Sequence, residues 1–174
     1  MSDVYFYKYL VTRQVFFRSK FTYALVNIKP IVPGHVLIVP LRESVLRFGD
    51  LSSDESRDYM DVLQLIHKFI IHVYKADSLN IAIQDGPEAG QSVPHLHTHL
   101  IPRYKSDGFG DNIYKMLEKS DIDEQFKDFF KRKQDFKEHG GFVQIKDSQR
   151  VPRTIEDMEK EAKMLKEELS KFRC

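Results

Sequence analysis

Short hydrophobic runs separated by turn residues fill most of the first hundred positions, a pattern that predicts antiparallel strands. The Pro33-Gly34 pair is typical of a type II turn, which reverses the direction of the chain. The predicted strands cover 4–8, 14–18, 21–27, 35–41, 79–84 and 93–101.

Two longer stretches repeat their hydrophobic positions every three or four residues and predict amphipathic helices. Ser52 and Glu55 form a capping box before the first helix, and Thr154 with Asp157 starts a second, C-terminal helix over about 154–172. The repeating positions are Tyr59, Val62, Leu63, Ile66, Phe69, Ile70 and Val73 in the first helix, and Ile155, Met158, Ala162, Leu165, Leu169 and Phe172 in the second. Mostly antiparallel strands with two main helices make an α+β fold.

The composition changes between the last predicted strand and the C-terminal helix. Charged residues of both signs dominate 104–150 and leave few apolar contacts, so we expect a mobile insertion there, with a helix near 122–137. At 174 residues the chain is long enough for one well-buried domain over 1–174.

Charge and composition exclude several classes of protein. A net charge of +1 gives no electrostatic footprint of a general nucleic-acid binder. No apolar run is long enough to span a membrane, and the first residues have no signal-peptide pattern, so we expect no membrane partner. The one cysteine, Cys174, allows no intrachain disulfide, which fits a reducing compartment such as the cytosol or the nucleus.

Three of the seven histidines stand at alternate positions in "VPHLHTHLIPR": His95, His97 and His99. Successive side chains of a strand point to opposite faces, so these three would share one face, with Leu96, Thr98 and Leu100 on the other.

Three kinds of chemistry are open to such a row of imidazoles. In a straight strand His95 and His99 lie about 13 Å apart, so one zinc ion would need two of the histidines and ligands from elsewhere. A purely structural role requires a partner for both nitrogens of each buried ring. The third possibility is nucleophilic attack on phosphorus by a neutral imidazole.

The loop before the histidines favours the third possibility. "QDGPEAGQS" offers backbone and side-chain donors to phosphate oxygens, and it leads directly into the histidine row. A glycine-containing loop that leads directly into a row of histidines is much stronger evidence for phosphate chemistry than such a loop by itself.

"HLHTHLI" resembles the alternating His-hydrophobic signature of the histidine triad superfamily, with Thr98 at a position that is hydrophobic in the signature. "QDGPEAGQSVPHLHTH" and "FTYALVNIKPIVPGHVLIVPLR" resemble its fragile histidine triad branch, which hydrolyses dinucleoside polyphosphates. The resemblance covers roughly 4–118 and, more loosely, the C-terminal helix. It implies nothing about the long charged segment 119–150.

The resemblance implies a role for each matching residue. His97 is expected to attack the α-phosphorus and form a covalent nucleotidyl-histidine, His99 to contact the phosphate and assist the leaving group, and His95 to support the His97 ring. His35 is expected to lie behind the triad. The remaining expected substrate-binding residues are Asn27 for the ribose, and Gln84, Gly90, Gln91, Ser92 and Val93 for the phosphates, with the aromatic residues of "YFYKY" (5–9) near the base.

The expected activity is hydrolysis of diadenosine triphosphate to AMP and ADP. A magnesium or manganese ion would arrive with the substrate phosphates, and no metal site in the chain itself is expected. The family fold implies a five-stranded antiparallel sheet that dimerises into a ten-stranded one. The alternatives are a nucleoside phosphoramidase of the same superfamily and a nucleotide-binding signalling module. Gln84 and the long phosphate loop favour a polyphosphate substrate over a phosphoramidate.

Overall fold

Five antiparallel strands form the central sheet of the computed structural model, which describes residues 2–110, 112–120 (backbone alone from 118) and 152–172. A separate two-stranded hairpin, β1 with β2, precedes the sheet, whose order is β3-β4-β5-β7-β6. The strands are β1 Tyr5–Phe6, β2 Tyr9–Leu10, β3 Val15–Arg18, β4 Thr22–Val26, β5 Val36–Pro40, β6 Ser78–Ile83 and β7 Thr98–Arg103. The predicted α+β fold with a five-stranded antiparallel sheet is confirmed.

Three α-helices accompany the strands within these residues: α1 Ser53–Tyr74, α2 Asn112–Ser120 and α3 Ile155–Lys171. Helix α1 begins at the predicted capping box, in which Ser52 and Glu55 each accept a hydrogen bond from the other's backbone N–H. Thr154 caps α3 through the Asp157 N–H. Short 3-10 helices span Thr12–Gln14, Phe48–Asp50 and Pro87–Ala89. None of the helices described is both long and apolar enough to cross a lipid bilayer.

The two faces of the sheet bury different partners because side chains alternate along each strand. One face packs against α1 and α3 in the main hydrophobic core. That core includes Ala24, Val26, Val36, Ile38 and Leu100 from the strands, Tyr59, Ile66, Phe69 and Ile70 from α1, and Met158, Ala162 and Leu165 from α3. Burying a large apolar side chain contributes about 1.5–3 kcal/mol, so the many such residues on this face stabilise the fold substantially.

The opposite face is covered at its two ends. At one end Val4 and Val11, beside the N-terminal hairpin, pack on Tyr23, Leu25, Leu37 and Val39 of the sheet. At the other end Ile113 and Leu117 of α2 pack on Ile101. His99 is paired in register with Leu37, so its ring lies on this face, between the two covers.

Two predicted strands differ from the structure. The strand expected over 93–101 begins only at Thr98, and the strand expected over 4–8 is a tight hairpin that turns at Tyr7, whose φ is 56°. A non-glycine residue in this left-handed conformation is uncommon and has no signature in the sequence.

The charged segment expected over 104–150 begins with structure that its composition did not predict. Its first part contains α2, whose Ile113 and Leu117 are buried. The helix expected near 122–137 lies outside the described residues, and the mobility of the segment stays a prediction.

Candidate active site

Residues 91–97, which carry two of the three histidines, run as irregular backbone instead of a strand. The His95 N–H donates to the Val93 carbonyl at 2.8 Å, and the Leu96 N–H donates to the Val45 carbonyl at 2.8 Å. These donors are therefore not used in a ladder with a neighbouring strand. His97 in this segment and His99 in β7 have their ring centroids 5.0 Å apart.

His97 has a single tautomer compatible with its surroundings. Its Nδ1 lies 2.8 Å from the carbonyl oxygen of His95. Because a carbonyl oxygen only accepts hydrogen bonds, Nδ1 carries the proton and the neutral ring has its lone pair on Nε2. The Phe6 and His97 ring centroids lie 5.3 Å apart with the rings nearly perpendicular, and His97 is only 3% exposed. The ring is thus oriented as a nucleophile at Nε2 requires.

His95 uses both of its ring nitrogens in hydrogen bonds within the protein. The Tyr7 N–H donates to Nδ1 at 3.0 Å, so the proton is on Nε2, which donates to the Pro40 carbonyl at 2.9 Å. Burial, more than the neighbouring His97, lowers the pKa of His95 to about 4, so the ring is neutral near pH 7. The predicted support of His97 by His95 corresponds here to a contact with the His95 backbone carbonyl.

His35 and Asn27 lie directly behind His99. The Ile31 N–H donates to His35 Nδ1 at 3.1 Å, so a neutral His35 carries its proton on Nε2. That nitrogen lies 2.9 Å from His99 Nδ1, and the Asn27 amide nitrogen lies 3.2 Å from it. His99 Nδ1 therefore accepts, and a neutral His99 carries its proton on Nε2. This arrangement makes His99 a hydrogen-bond donor on the side away from His35.

The loop before the histidines is braced by the Gln91 side chain. Its Oε1 accepts from the Gly86 N–H at 3.0 Å, and its Nε2 donates to the Leu46 and Val93 carbonyls at 2.7 and 3.0 Å. Gly86 has a φ of 114°, which side-chain-bearing residues rarely adopt. Gln91 thus shapes the loop, and its predicted contact with substrate stays a prediction.

Gln84 Oε1 and Ser92 Oγ are buried polar atoms for which the described part of the chain offers no hydrogen-bond partner. Ile83 pairs with Thr98 at the start of β7, so Gln84, the next residue, lies beside His97. Leaving such atoms unpaired costs about 1–3 kcal/mol each. They mark the position at which a polar ligand would bind next to the histidine.

Two contacts around the triad were not predicted from the sequence. The Tyr7 backbone N–H orients His95, and nothing in the sequence indicates it. On the helix face the Thr98 and Tyr59 hydroxyls lie 2.7 Å apart, and the Tyr59 hydroxyl donates to the Ile38 carbonyl at 2.8 Å. Thr98 occupies a position that is hydrophobic in the triad signature, and that departure was a signal for a buried polar partner.

A zinc site has no ligand set among residues 2–110, 112–117 and 152–172, since no three His, Cys, Asp or Glu side chains there are arranged to hold a metal ion. His95 in particular already uses both nitrogens. The prediction that the chain binds no metal of its own remains untested.

Comparison with known proteins agrees with this geometry. Residues 10–106 match the HIT domain family, which is more than half of the chain. A bis(5'-adenosyl)-triphosphatase of Saccharomyces cerevisiae is 51% identical over 97% of this chain and 93% of its own. An asymmetrical bis(5'-nucleosyl)-tetraphosphatase of Schizosaccharomyces pombe is 41% identical over 94% of this chain and 93% of its own.

A solved structure, the diadenosine triphosphate hydrolase of Plasmodium falciparum in complex with cyclomarin A, superimposes with a TM-score of 0.66. It is 26% identical, and the match covers 98% of this chain and 86% of that one. The chain belongs to the histidine triad family. Within that family its relatives, which include a plant FHIT protein at 40% identity over 86% of this chain, place it in the fragile histidine triad branch.

Proposed function

We propose that this protein hydrolyses dinucleoside polyphosphates, and diadenosine triphosphate in particular, to AMP and ADP. The observation that carries the proposal is the tautomer of His97, which leaves a lone pair on Nε2, and the buried polar atoms of Gln84 and Ser92 that lack a partner in the described chain support it. The names of the yeast relatives, a bis(5'-adenosyl)-triphosphatase and a bis(5'-nucleosyl)-tetraphosphatase, support the same substrate class.

The reaction we propose has two displacements at one phosphorus atom. In the first, His97 Nε2 attacks the α-phosphorus, a P–N bond forms, and the bond between that phosphorus and the bridging oxygen of the ADP group breaks. The leaving oxygen accepts a hydrogen bond from His99 Nε2, which the contact with His35 orients. ADP departs and leaves an adenylyl group on His97.

In the second displacement water attacks the same phosphorus. The P–N bond breaks, His97 regains its lone pair, and AMP leaves with the oxygen of the water. Because His99 keeps its own proton on Nε2 in this scheme, the proton of the water passes to solvent. We expect the phosphate oxygens to receive hydrogen bonds from the Ser92 hydroxyl, from the surrounding loop and from the Gln84 side-chain amide.

The divalent cation belongs to the substrate in this proposal. Magnesium keeps several of its waters and binds phosphate oxygens readily, so we expect the nucleotide to arrive as its magnesium or manganese complex. The chain's own contribution is then the orientation of the phosphates beside His97.

We also propose a homodimer that joins two sheets along β6. This strand is at the edge of the sheet, and an edge strand presents backbone groups that a second strand can pair with. Ile81 on β6 and Tyr114 on α2 are large apolar side chains that are 48% and 50% exposed beside it. Light scattering of the purified protein tests the dimer. The cytosolic or nuclear location expected from the sequence is tested by cell fractionation.

The activity is tested by digestion of diadenosine triphosphate in oxygen-18 water. A covalent intermediate predicts the label in AMP alone and none in ADP, because water attacks the phosphorus that His97 attacked first. A chiral α-thiophosphate substrate should be hydrolysed with overall retention, since each of two in-line displacements inverts the configuration. Inversion would indicate direct attack by water and refute the histidine nucleophile.

A substrate panel separates this proposal from its rivals. Adenosine 5'-phosphoramidate cleaved in preference to diadenosine triphosphate would indicate a phosphoramidase. Tight nucleotide binding without turnover would indicate a signalling module.

A further inference from the structure

The turn between β4 and β5 carries two groups of the site, Asn27 at its start and His35 at its end. Their side chains meet, with the Asn27 amide nitrogen 3.2 Å from His35 Nε2, and His35 in turn contacts His99. The Asn27 side chain is also fixed by the Lys29 N–H, which donates to Asn27 Oδ1 at 2.9 Å. A displacement of this turn would therefore move both Asn27 and the partner of His99.

Arg153, just before α3, donates hydrogen bonds to the start of this turn. Its Nε and Nη2 donate to the Asn27 carbonyl at 3.2 and 2.6 Å, and its own backbone N–H donates to the Ile28 carbonyl at 3.0 Å. The third arm of the guanidinium forms an ion pair with Glu161 on α3. The Arg153 and Glu161 side chains are 24% and 16% exposed, so the pair is largely shielded from solvent.

Glu161 extends the same group of contacts to the end of the turn. The Tyr74 hydroxyl donates to Glu161 Oε1 at 2.6 Å. Burial and then the Glu161 carboxylate raise the pKa of Tyr74, so this hydroxyl stays protonated. A Cβ on Gly34 would lie 2.7 Å from the Tyr74 ring, so Gly34, which precedes His35, packs directly on that ring.

We propose that Arg153 is a positioning residue for nucleotide binding, which acts through Asn27. Arg153, Glu161 and Tyr74, which we term the turn clamp, hold both ends of the turn between β4 and β5. The inference rests on the proposed function, since it takes Asn27 as a nucleoside-binding group. Arg153 touches no reacting atom in this arrangement, and its effect is transmitted by the backbone of Asn27.

Arg13 offers a matched control for a test of Arg153. Arg13 also forms an ion pair with α3, through Glu159, but it contacts neither Asn27 nor His35 in the described part of the chain. Arg13→Met and Arg153→Met therefore remove the same chemical group from two anchors of one helix. Only the second variant releases the Asn27 carbonyl.

The first readout is the dissociation constant for AMP, measured by calorimetry well below the unfolding midpoints of both variants. Arg153→Met should weaken AMP binding about tenfold, as expected for the loss of a charged hydrogen bond that fixes a binding group, with KM for diadenosine triphosphate rising more than kcat falls. Arg13→Met should stay within about twofold of wild type. Equal effects in the two variants would overturn the proposal.

The second readout needs no ligand, and so it separates this inference from the proposed function. The nitrogen-15 resonances of the His35 and His99 rings should move in Arg153→Met and stay in place in Arg13→Met. If they do not move, the turn clamp does not position the site, whatever the protein hydrolyses. If they move but wild type neither binds AMP nor cleaves the triphosphate, the proposed function is wrong and with it the role in nucleotide binding.

A milder pair of variants serves if Arg153→Met does not fold. Arg153→Lys keeps the charge opposite Glu161 but lacks the fixed fork of N–H groups that reaches the Asn27 carbonyl. It should weaken AMP binding by a smaller factor than the loss of the whole guanidinium, while Arg13→Lys should not weaken it. Wild-type affinity and ring resonances in Arg153→Lys, with normal folding, would contradict the proposal.

Discussion

Residues 93–97 and β7 share one continuous alternation of histidine with other residues, yet only β7 is a strand. In β7 the backbone groups pair with β5 and β6, and the side chains alternate between the two faces. In 93–97 the backbone groups bond outside any strand ladder, to Val93 for the His95 N–H and to Val45 for the Leu96 N–H, and the His95 carbonyl holds the His97 ring. The regular half of the motif thus places His99 by strand pairing, while the irregular half uses its backbone to fix the tautomer of His97.

Among substitutions in the two halves of the motif, the largest effect on kcat is expected at His97, in the irregular segment. Replacing it with alanine removes the attacking nitrogen, so kcat for diadenosine triphosphate should fall by at least about 10³-fold. The loop braced by Gln91 should persist, and AMP should still bind. Steady-state kinetics and calorimetry measure the two quantities. A His97→Ala variant within tenfold of the wild-type kcat would exclude a covalent role.

The dependence of the unfolding free energy on pH tests His95, the other histidine of the irregular segment. Its folded-state pKa of about 4 lies below the ordinary value of 6.5, so between these values the unfolded chain binds more protons. The free energy of unfolding should therefore be unaffected by His95 above about pH 6.5 and fall as the pH drops towards 4, by about 3 kcal/mol at most.

Urea unfolding at a series of pH values measures this loss. His95→Asn keeps a donor and an acceptor without titrating, so the difference between its curve and that of wild type isolates the contribution of His95. Parallel curves for the two proteins would contradict the assignment of His95 as a buried neutral ring.

The smallest effect is expected in the regular half, at the hydroxyl pair behind Thr98. Tyr59→Phe leaves the Thr98 hydroxyl and the Ile38 carbonyl short of a partner and should cost about 1–3 kcal/mol of unfolding free energy. Thr98→Val removes the hydroxyl itself and should cost less. The double variant should be no less stable than Tyr59→Phe alone, and kcat should change only a few-fold in all three. Strictly additive losses would show that the hydroxyls are not coupled.

Hydrophobic periodicity was sufficient to predict the sheet, α1 and α3, because each buries one continuous apolar face. It failed where backbone N–H groups bond outside a regular ladder, as at 93–97 and at the Tyr7 turn, since a pattern of side chains does not report where N–H groups point. It also missed α2, which is short and lies in a charged segment.

The site was predictable in its residue types but not in its contacts. The alternation of histidines and the resemblance of the motif indicated His95, His97, His99, His35 and Asn27, and the structure brings all five together. Which ring nitrogen carries each proton depends on partners far away in the sequence, such as Tyr7 for His95. The contact of Arg153 with Asn27 has no sequence signature at all, because it depends on how α3 docks.

The contacts that complete the site span most of the chain. Tyr7 and His95 are 88 positions apart, His35 and His99 are 64 apart, and Arg153 and Asn27 are 126 apart. Contacts of such high sequence separation close large loops and form late relative to local helices and hairpins. During synthesis the strands of the sheet and the three histidines therefore emerge before Arg153, the residue that we propose positions Asn27. A chain interrupted before Arg153 would carry its nucleophile but lack the side chain that holds the Asn27 carbonyl, and we expect it to bind nucleotide more weakly than a chain that contains Arg153.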